Sequence, residues 1–183
     1  MPSPLTHLLT GYAIYRVASR AAPPDAASDT GRRAVVAAAA ISLLPDVDTL
    51  PGLLHGDPLA HHRSFVHSPL LGLAAALAFA AALHVWRRWS FTRWLVISLV
   101  AFELHVLMDF LSVGRGVPWL WPLSHDRFQA PLKLFYGVRW WEGLLSWSHL
   151  WTLVNEVAFL GVLFAGIRMW ERLRGTAVPR LPR

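Results

Sequence analysis

Carboxylates and imidazoles are concentrated in residues 44–68, between two apolar stretches of the sequence. This segment holds three acids, four histidines and an arginine: Asp46, Asp48, His55, Asp57, His61, His62, Arg63 and His67. The chain has no cysteine, and carboxylate oxygen and imidazole nitrogen are the ligands that suit zinc, manganese or iron where no thiolate is available. The segment therefore predicts half of a metal site held at a membrane surface.

A second pair of candidate ligands lies in a later apolar segment. His105 and Asp109 are four residues apart, so on a helix they share one face with their Cβ atoms about 6 Å apart. Ionisable residues inside a membrane span cost about 2.5–3.5 kcal/mol on insertion scales and usually carry function. We interpret the pair as metal ligands, with a His–Asp hydrogen bond that braces two spans as the alternative.

The other candidates depend on their neighbours. Asp46 and Asp48 lie one residue apart at the mouth of a predicted helix, a pattern that is also ordinary in surface loops. His62 and His67 gain weight from Arg63, because a planar guanidinium matches the oxygens of a phosphate. We predict that Asp46, His62 and His67 bind metal, that Asp48 orients a nucleophile or a histidine, and that Arg63 holds a phosphate.

Several remaining polar residues are assigned no firm role. His7 can reach the same face as the other candidates, although at the start of a helix it is more often a simple helix-start residue. The sequence leaves open the roles of three residues in or near the predicted spans: Glu103, His149 and Glu156. The remaining acids and histidines are interpreted as residues without a functional role: His55, Asp57, His84, His125 and Asp126.

The composition is that of a membrane protein with one domain over residues 1–183. The chain is 55% hydrophobic and 15% charged, with a mean hydropathy of +0.40, which is too apolar for an ordinary soluble domain. We predict an all-α polytopic membrane protein with three clear transmembrane helices and two shorter N-terminal membrane-embedded helices. The predicted segments are residues 69–86, 94–111 and 151–167, and then residues 4–18 and 34–44, the last ended by Pro45.

The positive charges predict the orientation of these helices. Of the 17 Lys and Arg residues, twelve lie in residues 16–33, 87–93 and 168–183, and five lie on the other side of the predicted spans. Cytoplasmic loops are enriched in Lys and Arg, so we place the larger set, with a basic tail over residues 169–183, in the cytoplasm. The metal-ligand candidates then fall on the non-cytoplasmic face. The net charge of +6 is explained by this placement, and we expect no nucleic-acid partner.

The ordered motifs resemble those of a known family. They are His7 with a glycine four residues on, LPDVD at residues 44–48, HR at residues 62–63, HS at residues 67–68 and HxxxD at residues 105–109. This order is similar to the YdjM-like, LexA-regulated family of inner-membrane metal-dependent hydrolases, which is grouped with zinc-dependent phospholipase C. The resemblance covers about residues 1–125 and implies an all-helical enzyme with five metal ligands: His7, Asp46, His67, His105 and Asp109.

Two departures from that pattern limit the number of metals expected. Between Arg63 and His67 the family usually has a Gly and a Thr, whereas this chain has residues 64–66 as SFV. The soluble relatives complete their cluster with a late HxxxE motif, but His149 is followed four residues later by Leu153. We therefore expect one or two divalent ions, with zinc as the leading candidate.

Two functions remain open from the sequence. The first is a membrane-bound hydrolase, most plausibly a phosphoesterase, that acts on a lipid-borne or phosphorylated substrate at the non-cytoplasmic face of the inner membrane. Two metals activate water and clamp the attacking and leaving oxygens in such enzymes. The second is a non-catalytic helical membrane protein with a structural metal site or a buried His/Asp proton relay. The sequence assigns no oligomeric state.

Overall fold

The computed structural model describes residues 1–21, 31–55, 62–139, 142 and 146–175. Within these ranges the chain forms α-helices and two short 3-10 helices, and residues pair across strands only at isolated bridges. The α-helices are α1 Pro4–Arg20, α2 Arg32–Leu43, α3 Thr49–Leu54, α4 Pro69–Arg87, α5 Phe91–Phe110 and α6 Ser148–Leu173, and the 3-10 helices are Leu44–Asp48 and Phe65–His67. The all-α prediction is confirmed. Residues 176–183 of the predicted basic tail, and His61 and Asp57, lie outside the described residues.

Four helical segments of the described chain are long and apolar enough to cross a membrane. Three are the predicted spans, now Pro69–Arg87, Phe91–Phe110 and Ser148–Leu173, and the fourth is Arg32–Gly52. The α-helical part of this fourth segment ends at Leu43, beside Pro45, as predicted, but the 3-10 helix and α3 that follow extend the helical path to membrane length. Pro45 lies in the first turn of the 3-10 helix, where its missing N–H leaves no hydrogen bond unmade, so the helical path continues into α3.

Small residues let α1 and α2 approach closely. A Cβ on Gly11 of α1 would lie 2.6 Å from Ser42 Cβ and 2.8 Å from the Ala38 carbonyl oxygen, both on α2. Ala34 and Ala38 are fully buried in the same interface. Close backbone approach at small residues is the usual way that helices pack in a membrane. At this contact Ser42 Oγ donates to the His7 carbonyl oxygen at 2.6 Å, which fixes the height of His7 against α2.

The helices alternate in direction, so that one end of the bundle collects the polar residues. α1 and α4 begin at this end with His7 and His67 nearby, while α2 and α5 finish there before Asp46 and at Asp109. Residues 111–139 cross this end of the bundle. Their backbone is tied down by bonds from Leu134 N to Leu111 O at 2.8 Å and from Val138 N to Met1 O at 2.8 Å.

Glu156 joins α6 to the N-terminal end of α1. The carboxylate is buried, and it accepts hydrogen bonds from Ser3 N at 2.6 Å, from Thr6 Oγ1 at 2.6 Å and from Ser3 Oγ. A negative side chain at a helix N-terminus also interacts favourably with the helix dipole. The role that the sequence left open for Glu156 is thus a structural one, since it anchors the helix that carries His7.

We expect Glu156→Ala to lower the free energy of unfolding by about 1–3 kcal/mol, because buried donors of Ser3 and Thr6 lose their acceptor. Glu156→Gln keeps one accepting oxygen and should lose less. The measurement is unfolding of the detergent-purified protein followed by circular dichroism. The matched control is Val157→Ala, because Val157 is the next residue of the same helix and is 59% exposed. Equal stability of the Ala variants at 156 and 157 would contradict this role.

Candidate metal centre

The structure brings the six predicted ligands together at the polar end of the bundle. They form two groups, within each of which one donor atom per residue lies within 4.8 Å of the others: His7, His105 and Asp109, and then Asp46, His62 and His67. His7 lies on α1, and His105 and Asp109 lie on α5. Asp46 lies on the 3-10 helix after α2, and His62 and His67 lie in the segment before α4. All are buried except Asp46, which is partly exposed.

Several separations between donor atoms match ligands of one ion better than hydrogen bonds. Asp109 Oδ2 lies 3.4 Å from His62 Nε2 and 3.5 Å from His67 Nε2, and Asp46 Oδ1 lies 3.5 Å from His105 Nε2. Two ligands that are each about 2.0–2.1 Å from a tetrahedral zinc lie about 3.3 Å from one another. A good N–H···O hydrogen bond is shorter, at about 2.9–3.0 Å.

The donor atoms that face the centre also have no hydrogen-bond partner among the described residues. These buried atoms are His7 Nε2, Asp46 Oδ1 and Oδ2, His62 Nε2, His67 Nε2, His105 Nε2 and Asp109 Oδ1. A buried polar atom without a partner costs about 1–3 kcal/mol, so seven such atoms in one place need a common explanation. Imidazole and carboxylate donors that converge in this way fit a divalent transition metal.

Second interactions point the histidine Nε2 atoms toward the centre. His105 Nδ1 lies 2.8 Å from the Ser42 carbonyl oxygen, so Nδ1–H donates there and the lone pair is on Nε2. His67 Nδ1 lies 3.2 Å from Asp48 Oδ2, and that same oxygen accepts from the backbone N and Oγ of Ser64, both at 2.9 Å. Outer carboxylates and carbonyls of this kind fix the tautomer of metal-binding histidines.

The two histidines before α4 have different proton affinities. Burial lowers the pKa of His67, and its contact with Asp48 offsets this only in part. Burial also opposes protonation of His62, but the nearby carboxylates of Asp109 and Asp48 outweigh it and raise the pKa. A metal binds neutral imidazole, so a proton would compete with a divalent ion for His62 more than for His67.

Arg63 lies inside the protein and not at the membrane rim. Its side chain is buried, Nε donates to Asp109 Oδ2 at 3.0 Å, and Nη2 donates to Ser112 Oγ. Its predicted role toward a phosphate stays a prediction. One guanidinium nitrogen, Nη1, has no partner among the described residues and is the nitrogen left for such a role.

The other polar candidates lie apart from the centre. His84 Nδ1 is 2.8 Å from the Trp89 carbonyl oxygen at the opposite end of α4, and Glu103 lies against Gly72 of α4. Three further candidates are exposed to solvent: His55, His125 and Asp126. Sequence reasoning missed Ser42 and Ser112, whose contacts cross between elements and leave no local pattern.

We expect the purified protein to contain one or two divalent ions, and His105→Ala and Asp109→Asn each to lower that content. The first variant removes a donor, and the second weakens a carboxylate ligand while its amide keeps the size of the side chain. Elemental analysis of detergent-purified protein measures the metal per chain. His84→Ala is the control and should leave the metal content unchanged. Equal content in all three variants would contradict the ligand assignment.

Comparison with known proteins identifies the family. The model of the YdjM inner membrane protein family matches residues 1–175. The chain is also similar to the inner membrane protein YbcI of Escherichia coli (strain K12), with 27% identity over 186 residues that cover 94% of this chain and 99% of that protein. No solved structure matches the chain. The relation to zinc-dependent phospholipase C stays a prediction. Because the family match spans nearly the whole sequence, the chain belongs to the YdjM inner membrane protein family.

Proposed function

We propose that this protein is a membrane-bound metal-dependent hydrolase, with zinc as its metal. The observation that carries the proposal is the convergence of two three-residue groups of His and Asp donors at one end of a helical bundle. When bound, a pair of divalent ions supplies a Lewis acid and a water activated near neutral pH. The family match and the four long apolar helices support a multi-pass protein of the inner membrane.

The residues of the chain divide into ligands and supports. Asp46 belongs to the second group and also approaches the first, with Oδ1 3.5 Å from His105 Nε2 and 3.7 Å from His62 Nδ1, so it would serve as a ligand next to both groups. Asp48 Oδ2 lies 3.2 Å from His67 Nδ1 and accepts from Ser64 N, so its role is to hold a ligand in place. Asp46 has the largest exposed share of side chain among the six ligands, at 12%, although both of its carboxylate oxygens are buried.

We propose a phosphoester on a lipid as the substrate. The guanidinium of Arg63 beside Asp109 supplies a fixed positive charge next to the centre, which suits a phosphate. The polar end of the bundle also carries exposed apolar side chains, among them Phe65 at 53% and Leu123 at 92% exposure. Side chains of this kind lie favourably at a membrane interface, and they bring the centre close to lipid headgroups.

We also propose that the centre lies on the non-cytoplasmic side. The opposite end of the bundle carries the basic residues, where Arg16 Nε donates to Glu171 Oε1 at 2.8 Å and Arg20 Nη2 lies 3.6 Å from the same oxygen. Lys and Arg near the ends of spans favour the cytoplasm, so the centre falls on the other side.

Single cysteines in this cysteine-free chain test the orientation. We expect Leu123→Cys, at the polar end, to react with a membrane-impermeant thiol reagent in spheroplasts, whose inner membrane is intact. Leu173→Cys, at the basic end, should react only after the membrane is opened. Both side chains are highly exposed, at 92% and 81%, so accessibility within the protein does not bias the comparison. The reverse pattern would overturn the orientation.

One observation favours the alternative, a structural metal site without catalysis. Five of the six ligands are buried, and a structural site is closed by its protein ligands whereas a catalytic site keeps an open position. The two functions therefore differ in whether a bound metal keeps an open position for water.

We expect the metal-loaded protein to hydrolyse phosphoesters from a panel of phosphomonoesters and phosphodiesters, including phosphatidic acid in mixed micelles. Asp46→Asn should lower kcat by about 100-fold, since loss of a carboxylate next to both groups disturbs both ions. The control is Asp126→Asn, because Asp126 is an exposed loop acid whose carboxylate accepts only from Ser124 Oγ among the described contacts. If fully metal-loaded wild-type protein hydrolyses no member of the panel, the proposed hydrolase is contradicted and a structural metal site is the better explanation.

A further inference from the structure

A small cavity lies directly beside the metal centre. Its volume is about 90 Å³, and it is lined by Met1, His62, Arg63, Val113, Gly114, Arg115 and Val138. His62 belongs both to this wall and to the donor group of Asp46 and His67, so the cavity adjoins the centre. We infer that this cavity is a recognition pocket for one phosphate group; the inference rests on the proposed function and names the part of the substrate that the protein grips.

Arg63 lines the cavity, and two of its three guanidinium nitrogens are already held by other residues. Nε is taken by Asp109 and Nη2 by Ser112, which hold the guanidinium plane in position from behind. Nη1 is buried and has no hydrogen-bond partner among the described residues, and Arg63 as a whole is 2% exposed. A buried guanidinium N–H that lacks a partner requires an acceptor, and an anionic oxygen is the strongest one.

The backbone of Arg63 is held in an unusual conformation that serves this arrangement. Its φ is +59°, which is uncommon for a residue with a side chain. The Arg63 carbonyl oxygen accepts from Arg127 Nη1 at 2.9 Å, which ties this turn to the loop over residues 111–139. Backbone conformations of this kind occur at functional sites, where the surrounding structure holds a side chain in place before the ligand arrives.

Gly114 leaves the space that the pocket needs. A Cβ on this residue would lie 2.6 Å from Arg63 Nη1 and 3.1 Å from its Cζ, so any other residue would press on the guanidinium. The φ of Gly114 is +154°, which residues with a side chain rarely adopt. The loop thus keeps a bare backbone in front of the one unpartnered nitrogen of Arg63.

The charge and size of the cavity select a phosphate group. Arg63, Arg115 and His62 line it, and none of its lining residues in the described part of the chain is an acid. Its volume of about 90 Å³ is several times the about 10–15 Å³ that one water requires, which leaves room for a phosphate group. Recognition in this pocket is therefore directed at the phosphate group of the substrate.

The test measures binding of inorganic phosphate to the full-length protein in detergent by isothermal titration calorimetry, with all variants matched in metal content. We expect Gly114→Ala to weaken binding about tenfold or more, because its Cβ occupies the space before Nη1. Gly31→Ala is the matched control, since Gly31 also has a positive φ of +88° but a Cβ there meets nothing within 4 Å. Arg115→Gln, which removes a wall charge without filling the cavity, should also weaken binding.

The outcomes separate this inference from the proposed function. Weaker phosphate binding in the variants at 114 and 115, with wild-type binding in Gly31→Ala, supports the pocket even if no phosphoester is hydrolysed. Wild-type phosphate binding in both pocket variants overturns it, even if hydrolysis is found. In nanodiscs, displacement of phosphate by phosphatidic acid but not by phosphatidylcholine supports a lipid source. Displacement only by soluble glycerol phosphate overturns the lipid source and leaves a soluble phosphomonoester.

Discussion

The buried carboxylate of Asp109 is the group on which the polar end of this bundle depends. Its side chain has no exposed surface, and three histidine nitrogens face it at 3.4–3.7 Å, from His62, His67 and His7. Arg63 pairs with it directly at 3.0 Å. An unpaired buried charge costs several kcal/mol, so α5 can carry this acid only if α1 and the segment before α4 close around it. The packing of those elements and the formation of the centre are therefore one event.

The parts of the site that could be predicted are those with a local pattern in the sequence. The four-residue spacing of His105 and Asp109 places both on one face of α5, and the structure has them in one donor group. Length and hydropathy indicated the helices, because a bilayer leaves few other ways to satisfy the backbone. The charge distribution also predicted that the acids and histidines meet at one end, which follows once the spans alternate in direction.

The remaining parts depend on contacts between distant residues, which a single sequence does not encode locally. Arg63 and Asp109 are 46 positions apart, so the burial of the guanidinium could not be inferred from its neighbours. The same holds for Gly114, which matters because it lies against Arg63 and not because of any motif. The continuation of the helical path beyond the end of α2 at Leu43 was missed for another reason. A proline normally ends a helix, but a 3-10 turn that starts beside it removes the need for its N–H.

The charges of the centre relate the number of bound divalent ions to the need for an anion. With their carboxylates ionised and the imidazoles neutral, Asp46, Asp48 and Asp109 contribute three negative charges and Arg63 one positive charge, which leaves a net of −2. One divalent ion would neutralise this set, as a closed structural site requires. Two divalent ions would instead leave an excess of +2 in a poorly hydrated interior, where such a charge is stable only with an anion beside it. In the enzyme that we propose, the pocket lined by Arg63 and Arg115 would hold that anion beside the second metal.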